Sequence, residues 1–126
     1  MSKATIELGR RGEKTAVNFL KNNGYDIIST DYRTRLGQID IIAREKDTIC
    51  FIEVKTRRSL SFGQPNEAVG YLKQKKISKV ALGFLKENQL LDSPARFDVI
   101  SIFYVNPKPK VELLKNAFDL DCRYFY

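Results

Sequence analysis

Two apolar runs, each with a carboxylate inside it, limit most strongly what this chain can fold into. They are Gly37-Gln38-Ile39-Asp40-Ile41-Ile42-Ala43 and Ile49-Cys50-Phe51-Ile52-Glu53-Val54-Lys55. Both are rich in β-branched or aromatic residues, as strands are. Only the polar stretch Arg44-Glu45-Lys46-Asp47-Thr48 separates them, short enough for a hairpin. The two runs are therefore expected to be antiparallel neighbours. Side chains alternate along a strand. On that rule Gln38, Asp40 and Ile42 share one face of the earlier run, and Phe51, Glu53 and Lys55 share one face of the later one. Asp40 and Glu53, 13 positions apart across the hairpin, can then stand side by side. A charge inside an apolar strand is costly unless something compensates it. Lys55 or an arginine could pair with the carboxylates. Alternatively the two carboxylates and the Val54 backbone carbonyl could hold Mg2+ or Mn2+, hard ions that prefer oxygen ligands.

The flanking sequence supplies helices. From about Thr5 to Asn23, Leu8, Ala16, Val17 and Leu20 form a stripe at helical spacing, and Gly24 follows as a C-terminal stop. Gly9, Gly12 and Glu13 lie on or beside that stripe. Two glycines in a helix suggest close packing or binding against its backbone, since each costs about 1 kcal/mol relative to alanine. Glu13 is then expected to face inward. Tyr25–Ser29 reads as a further strand. After a loop from Thr56 to Gln64, Pro65-Asn66-Glu67 opens a second helix running to about Glu87. Arg96–Tyr104 reads as a fourth strand, and Val111–Leu114 as a short fifth. The order αβββαβ, with that last strand appended, predicts an α/β fold with a central mixed sheet flanked by helices. A length of 126 residues suits one domain, 1–126.

Composition narrows the chemistry. There is no histidine, so Ser-His-Asp, Cys-His and histidine-based nuclease mechanisms are excluded. Any acid–base or metal chemistry must rest on carboxylates and lysines. Cys50 and Cys122 have no metal-ligand spacing, and read as a buried apolar residue and an incidental thiol. No apolar run reaches the roughly 20 residues of a membrane span, and Met1–Glu7 has no signal-peptide core. The expected location is the cytoplasm, with no membrane partner. The net charge of +7 favours polyanions. Between Lys55 and Lys79 the basic residues are Lys55, Arg57, Arg58, Lys73, Lys75, Lys76 and Lys79, against the single acid Glu67. Such a surplus suits a phosphate backbone, although any one lysine is equally a solvated surface charge.

An acid followed across a hairpin by Glu-x-Lys, with a glutamate on the preceding helix, resembles the PD-(D/E)xK nuclease superfamily. The longer pattern is more specific. Gly9-x-x-Gly12-Glu13, Gly37-Gln38-Ile39-Asp40-Ile41-Ile42-Ala43, Phe51-Ile52-Glu53-Val54-Lys55-Thr56-Arg57 and Arg96-Phe97-Asp98-Val99 together resemble the YraN-like family of small bacterial proteins. The resemblance spans nearly the whole chain. It implies a restriction-endonuclease-like core similar to that of archaeal Holliday-junction resolvases. It also implies Asp40 and Glu53 as metal ligands, Lys55 as the catalytic lysine, and Glu13 as the helix glutamate that approaches the metal or its water. Arg57, Arg58, Lys73, Lys76 and Lys79 would grip nucleic acid, most simply DNA. Resolvase-like relatives act as dimers, which makes a homodimer an option. The chain departs from the family at Gln38, where a glutamate is usual, and this bears on how many ions the site holds.

Three readings follow: a Mg2+- or Mn2+-dependent nuclease, a non-catalytic nucleic-acid-binding module on the same fold, and a domain in which Asp40, Glu53 and Lys55 form an internal ion cluster.

Overall fold

The computed structural model describes residues 3–57, 70–105 and 108–119, apart from the side chains of residues 4 and 5. Its elements are α1 (Lys3–Asn22), β1 (Asp26–Thr34), β2 (Gly37–Glu45), β3 (Thr48–Arg57), α2 (Tyr71–Glu87), β4 (Ala95–Phe103) and β5 (Lys110–Phe118). The five strands form one mixed sheet in the order β1-β2-β3-β4-β5. All pairs are antiparallel except β3–β4. A parallel pair needs a crossover, and α2 lies in it. The expected α/β architecture and the β2–β3 hairpin are present. No helix among the described residues is long and apolar enough to cross a membrane.

The helices cover opposite faces of the sheet. Ala16 and Leu20 of α1 pack on Ile41, Ile52, Ile100 and Ile102. Ile77, Val80, Ala81 and Phe84 of α2 pack on Ile39, Ile42, Phe51 and Val99. Neighbouring residues of the central strands thus serve different layers, which is why β3 and β4 read as almost unbroken apolar runs. Each fully buried Leu or Ile here contributes about 1.5–3 kcal/mol.

Local chemistry sets the boundaries. Helix α1 ends where Gly24 takes a φ of +87°. The Gly24 N–H then reaches Lys21 O, and the Tyr25 N–H reaches Leu20 O. That is a Schellman cap, and the positive φ is what asks for glycine. Lys46, at φ +54°, lets β2 turn into β3 over fewer residues than the sequence suggests. Arg44, Glu45 and Thr48 therefore join the strands.

Several expectations shift. Strand β1 extends to Thr34 because it pairs with β2 through a two-residue connection at Arg35-Leu36. Strand β5 is a full edge strand, since β4 offers it a long antiparallel ladder. Helix α2 starts at Tyr71, because Gly70 is extended (φ −74°, ψ 166°) and serves as its N-cap. The proposed opening at Pro65-Asn66-Glu67 lies outside the described residues, as do Cys122 and the last residues of the chain.

The two helix glycines differ. Gly9 has open space where a side chain would go, so packing does not require it. A Cβ on Gly12 would overlap the Thr56 methyl of β3, so α1 sits directly on the strand there. Gly12→Ala should lose stability by roughly 1–3 kcal/mol through overpacking, despite a helix propensity favouring alanine by about 1 kcal/mol. Urea denaturation measures this, and a variant more stable than wild type would show that α1 does not need that close approach.

Candidate functional site

The site forms where β2 parts from β3. Their ladder runs from Glu45↔Thr48 to Ile41↔Ile52. One further step would set Asp40 opposite Glu53, as the residue spacing predicts. No such pair forms. The Val54 N–H donates instead to Asp40 Oδ2 at 2.8 Å. The Asp40 carboxylate thus takes a bond that the β2 backbone would otherwise accept. In an antiparallel ladder, a residue's N–H and C=O face the same neighbour, so the Val54 carbonyl is turned to this seam as well.

The parting corrects one expectation. Ile39 and Ile42 both pack toward α2, while Ile41 and Ala43 pack toward α1. Strict alternation therefore fails at Asp40, and its side chain does not simply share a face with Ile42. The neighbouring strand β1 contributes to the irregularity: Asp31 and Asp40 fall between the Thr30↔Ile41 and Tyr32↔Ile39 pairs, and Asp31 has a φ of +51°.

Glu53 and Lys55 occupy the α2 side. Glu53 is buried, with a side chain 8% exposed. Its Oε1 accepts a hydrogen bond from Lys73 Nζ, and Lys55 Nζ lies 3.9 Å from the same oxygen. Burial and then the charge on Asp40 push the Glu53 carboxyl above the ordinary range, against the pull of Lys73 and Lys55. Burial, followed by the neighbouring Lys73 ammonium, lowers Lys55. Burial works against the charge on Lys73 as well, but its bond to Glu53 outweighs this and leaves it raised. Asp40, Glu53, Lys73 and Lys76 line a cleft of ≈ 260 Å³ together with Gly37 and Gln38. Pockets that bury a small molecule run to roughly 300–1,000 Å³. This one is nearer the scale of an ion and a phosphoryl group.

Glu13 approaches from the other side. It lines a second hollow with Arg10, Asp31, Arg33, Gln38 and Asp40. Burial, then Asp40 and Asp31, raise its carboxyl, and Arg33 opposes them. Asp40 and Gln38 thus line both hollows. Gln38 Nε2 donates to Asp31 Oδ1 at 2.8 Å and lies 3.4 Å from Asp40 Oδ1. Its amide bridges two carboxylates that would otherwise repel each other. Among the described residues, no three or more Asp, Glu, Cys or His side chains are gathered as a metal-holding group. A set of Asp40, Glu53 and the Val54 carbonyl contains only two such side chains.

The basic residues separate by position. Lys73 is exposed like Lys76 and Lys79, and its ammonium engages Glu53. Lys76 lines the cleft. Arg57 ends β3 and is half-buried, with its carbonyl accepting the Tyr104 N–H. Lys79 is exposed on α2 and does not line that cleft. Arg58 lies outside the described residues.

Sequence reasoning named Lys73 only as a lysine that would grip nucleic acid, and did not name Asp31 at all. Lys73 was only one lysine in a basic helix, since contact with Glu53 depends on where α2 docks. Asp31 lies past the expected end of the first strand, and only the longer β1–β2 pairing brings it to Asp40.

Arg96 and Asp98 belong to a separate network with Tyr25 and Glu45. Arg96 pairs in register with Cys50 and Asp98 with Ile52, whereas Val99 pairs with Glu53, so alternation, rather than distance along the strand, sets the network apart from Glu53. Arg96 Nε donates to both Asp98 oxygens at 3.0 and 3.1 Å, and Arg96 Nη2 to Tyr25 Oη and Glu45 Oε1. The Asn116 N–H donates to Asp98 Oδ1, where the β4–β5 register shifts and Asn116 has a φ of +55°. Asp98 is fully buried. Burial, then Asp98, push the Tyr25 hydroxyl up to about 12. Burial is also the main cause that raises Cys50, to about 11, in keeping with an inert core thiol.

Comparison with known proteins places this chain among relatives. The model of the uncharacterised protein family UPF0102 matches residues 12–102. A UPF0102 protein of Geobacter metallireducens is 47% identical over 120 residues, covering 95% of this chain and 98% of the relative. One from Caldicellulosiruptor saccharolyticus is 48% identical over 115 residues, covering 89% and 97%. Among solved structures, Pyrococcus furiosus SfsA in complex with Ca2+ matches with a TM-score of 0.42 and 10% identity. That match covers 88% of this chain and 63% of SfsA, and a likeness so slight carries no argument.

Proposed function

The chain belongs to the UPF0102 family, and we propose that it is a restriction-endonuclease-like (PD-(D/E)xK) enzyme that hydrolyses DNA phosphodiesters with Mg2+ or Mn2+. The observation carrying this reading is the seam at Asp40. A carboxylate enters the gap between two parting strands beside the Val54 backbone, with Glu53 and Lys55 on the adjoining face. Asp40 and Glu53 line one cleft with Lys73 and Lys76, and the Lys55 ammonium lies 3.9 Å from Glu53 beside it, in a protein with a net charge of +7.

The residues fit the ion. Two carboxylates and a carbonyl make an all-oxygen donor set suited to Mg2+ or Mn2+. The ammonium of Lys73 against Glu53 marks the place as one that attracts a cation. Asp40, Glu53 and the Val54 carbonyl would hold the ion. When bound, it would polarise the phosphoryl group and acidify a water. Lys55 would orient that water and stabilise charge developing on the phosphate. Arg57, Arg58, Lys76 and Lys79 would hold the flanking backbone, where each contact makes affinity more salt-dependent. Glu13 would act through Asp40 from the α1 side.

The test combines binding with cleavage. Mn2+ at about a hundred times its dissociation constant should stabilise the protein by about 2.7 kcal/mol, a rise in melting temperature of roughly 10 °C. Asp40→Asn should remove the shift and all cleavage. Wild-type protein inactive with both ions on linear, single-stranded and four-way-junction DNA would overturn the enzyme reading.

One observation favours a second reading, a module that binds nucleic acid without cutting. Glu53 is already neutralised by Lys73, and Asp40 already accepts from Val54 and Gln38. Junction binding that persists in Glu53→Gln, with wild-type protein that never cleaves, would select it.

A further inference from the structure

Glu53 carries more positive charge than it needs. Lys55 and Lys73 address the same oxygen, Oε1. These two ammonium groups already balance the carboxylates of Asp40 and Glu53 without any ion, and Lys76 on the cleft wall adds a further positive charge. A divalent cation added at Glu53 would face both of them, so one must leave. Lys55 is fixed to the sheet: its residue pairs with Ser101 on β4, and its side chain is 21% exposed. Lys73 has a side chain 43% exposed on the first turn of α2. A lysine's flexible stem allows its ammonium to swing while the helix stays in place.

The helix itself has no use for Lys73 at that position. A helix N-terminus carries partial positive charge and favours acids in its first turn. The first turn of α2 contains none, and its N-cap, Gly70, offers no side-chain cap. Lys73 sits instead where a glutamate would serve the helix best. Its position is explained by Glu53, not by the helix.

We propose that Lys73 is an internal stand-in for the metal. It holds Glu53 until a divalent cation displaces it. Once displaced, it moves toward Lys76 at the cleft wall and grips a phosphate of the nucleic-acid strand. Metal binding and strand binding are thereby coupled: the ion frees the ammonium, and the phosphate gives the freed ammonium a partner. The proposal rests on the metal-dependent reading above and adds to it a residue that couples the two ligands.

Mn2+ affinity at neutral pH, read by electron paramagnetic resonance, tests it without reference to cleavage. Removing the competitor in Lys73→Met should tighten Mn2+ binding about tenfold, as expected for loss of a charge-assisted hydrogen bond. Lys76→Met removes the same charge from the same helix without touching Glu53, and should change affinity far less. Lys73→Gln serves as a second variant, and thermal melts confirm that each protein folds. A second arm measures binding of a DNA duplex. Lys73→Met should weaken it when Ca2+ is present and leave it unchanged without divalent ions, because Lys73 is then held by Glu53. Unchanged or weaker Mn2+ affinity in Lys73→Met, or an equal gain in Lys76→Met, would overturn the proposal while leaving the enzyme reading intact. Absence of Mn2+ binding in wild type and variants alike would overturn both.

Discussion

Lys55→Met is expected to cut about 100- to 1,000-fold more slowly than wild type, while still showing the Mn2+-induced rise in melting temperature. The two measurements separate because Lys55 is not in the proposed donor set. Its ammonium lies 3.9 Å from Glu53 and is held beside the cleft by β3. Burial and Lys73 already make its charged form less favourable, which suits a group that manages a proton or a developing charge rather than one that anchors an ion pair. Lys55→Arg should not rescue cleavage. A planar guanidinium cannot place a compact charge in the same space, and it does not give up a proton. Loss of the Mn2+ shift together with cleavage would make Lys55 a support for the ion site. Unchanged cleavage would remove it from the reaction.

Arg96→Met is expected to lose about 3–5 kcal/mol of stability, because it leaves a buried carboxylate without its cation. Asp98 is fully buried and would retain, among the described residues, only the Asn116 N–H. Against a total stability of about 5–15 kcal/mol the loss is large, and melting should fall by roughly 10–20 °C. Asp98→Leu added to Arg96→Met should recover part of the loss, since a well-packed apolar pair replaces a broken ionic one. A single Arg96→Met variant that melts like wild type would show that the network contributes nothing to the fold.

The same network predicts an acid limb of stability. The hydrogen bond from Arg96 lowers the Glu45 carboxyl; burial opposes it, and Lys115 adds to it. The folded value therefore lies below the unfolded one of about 4.3. The stability from this pair is present above the unfolded value and is lost as pH falls through the folded one. Glu45→Gln should be less stable at neutral pH and should lose less on acidification.

The Arg96-Phe97-Asp98-Val99 motif thus has a structural role in this chain. It fastens β4 to β5 and to the β2–β3 hairpin. Gly12 has a similar role, allowing α1 onto β3 at Thr56. Both lie in segments that carry the family resemblance.

What the sequence determined was everything set by short spacing. The hairpin of β2 and β3 follows from two β-rich runs and a short polar connector. The cap at Gly24 follows from one residue free to take a positive φ, and the helical stripe of Ala16 and Leu20 from its periodicity. The missing histidines confined the candidate chemistry to carboxylates and lysines. The tertiary structure decided whatever depends on where distant segments meet. Alternation set Asp40 on a face with Ile42, but the ladder to β3 stops one residue short of it, and its carboxylate takes the Val54 N–H. No local period encodes that parting, because it arises from three strands together, with Asp31 at a positive φ on the third. Lys73 likewise resembled any lysine of a basic helix until α2 docked across the sheet and brought its ammonium to Glu53. Local pattern fixes which face a side chain starts from, but long-range packing sets what it meets there.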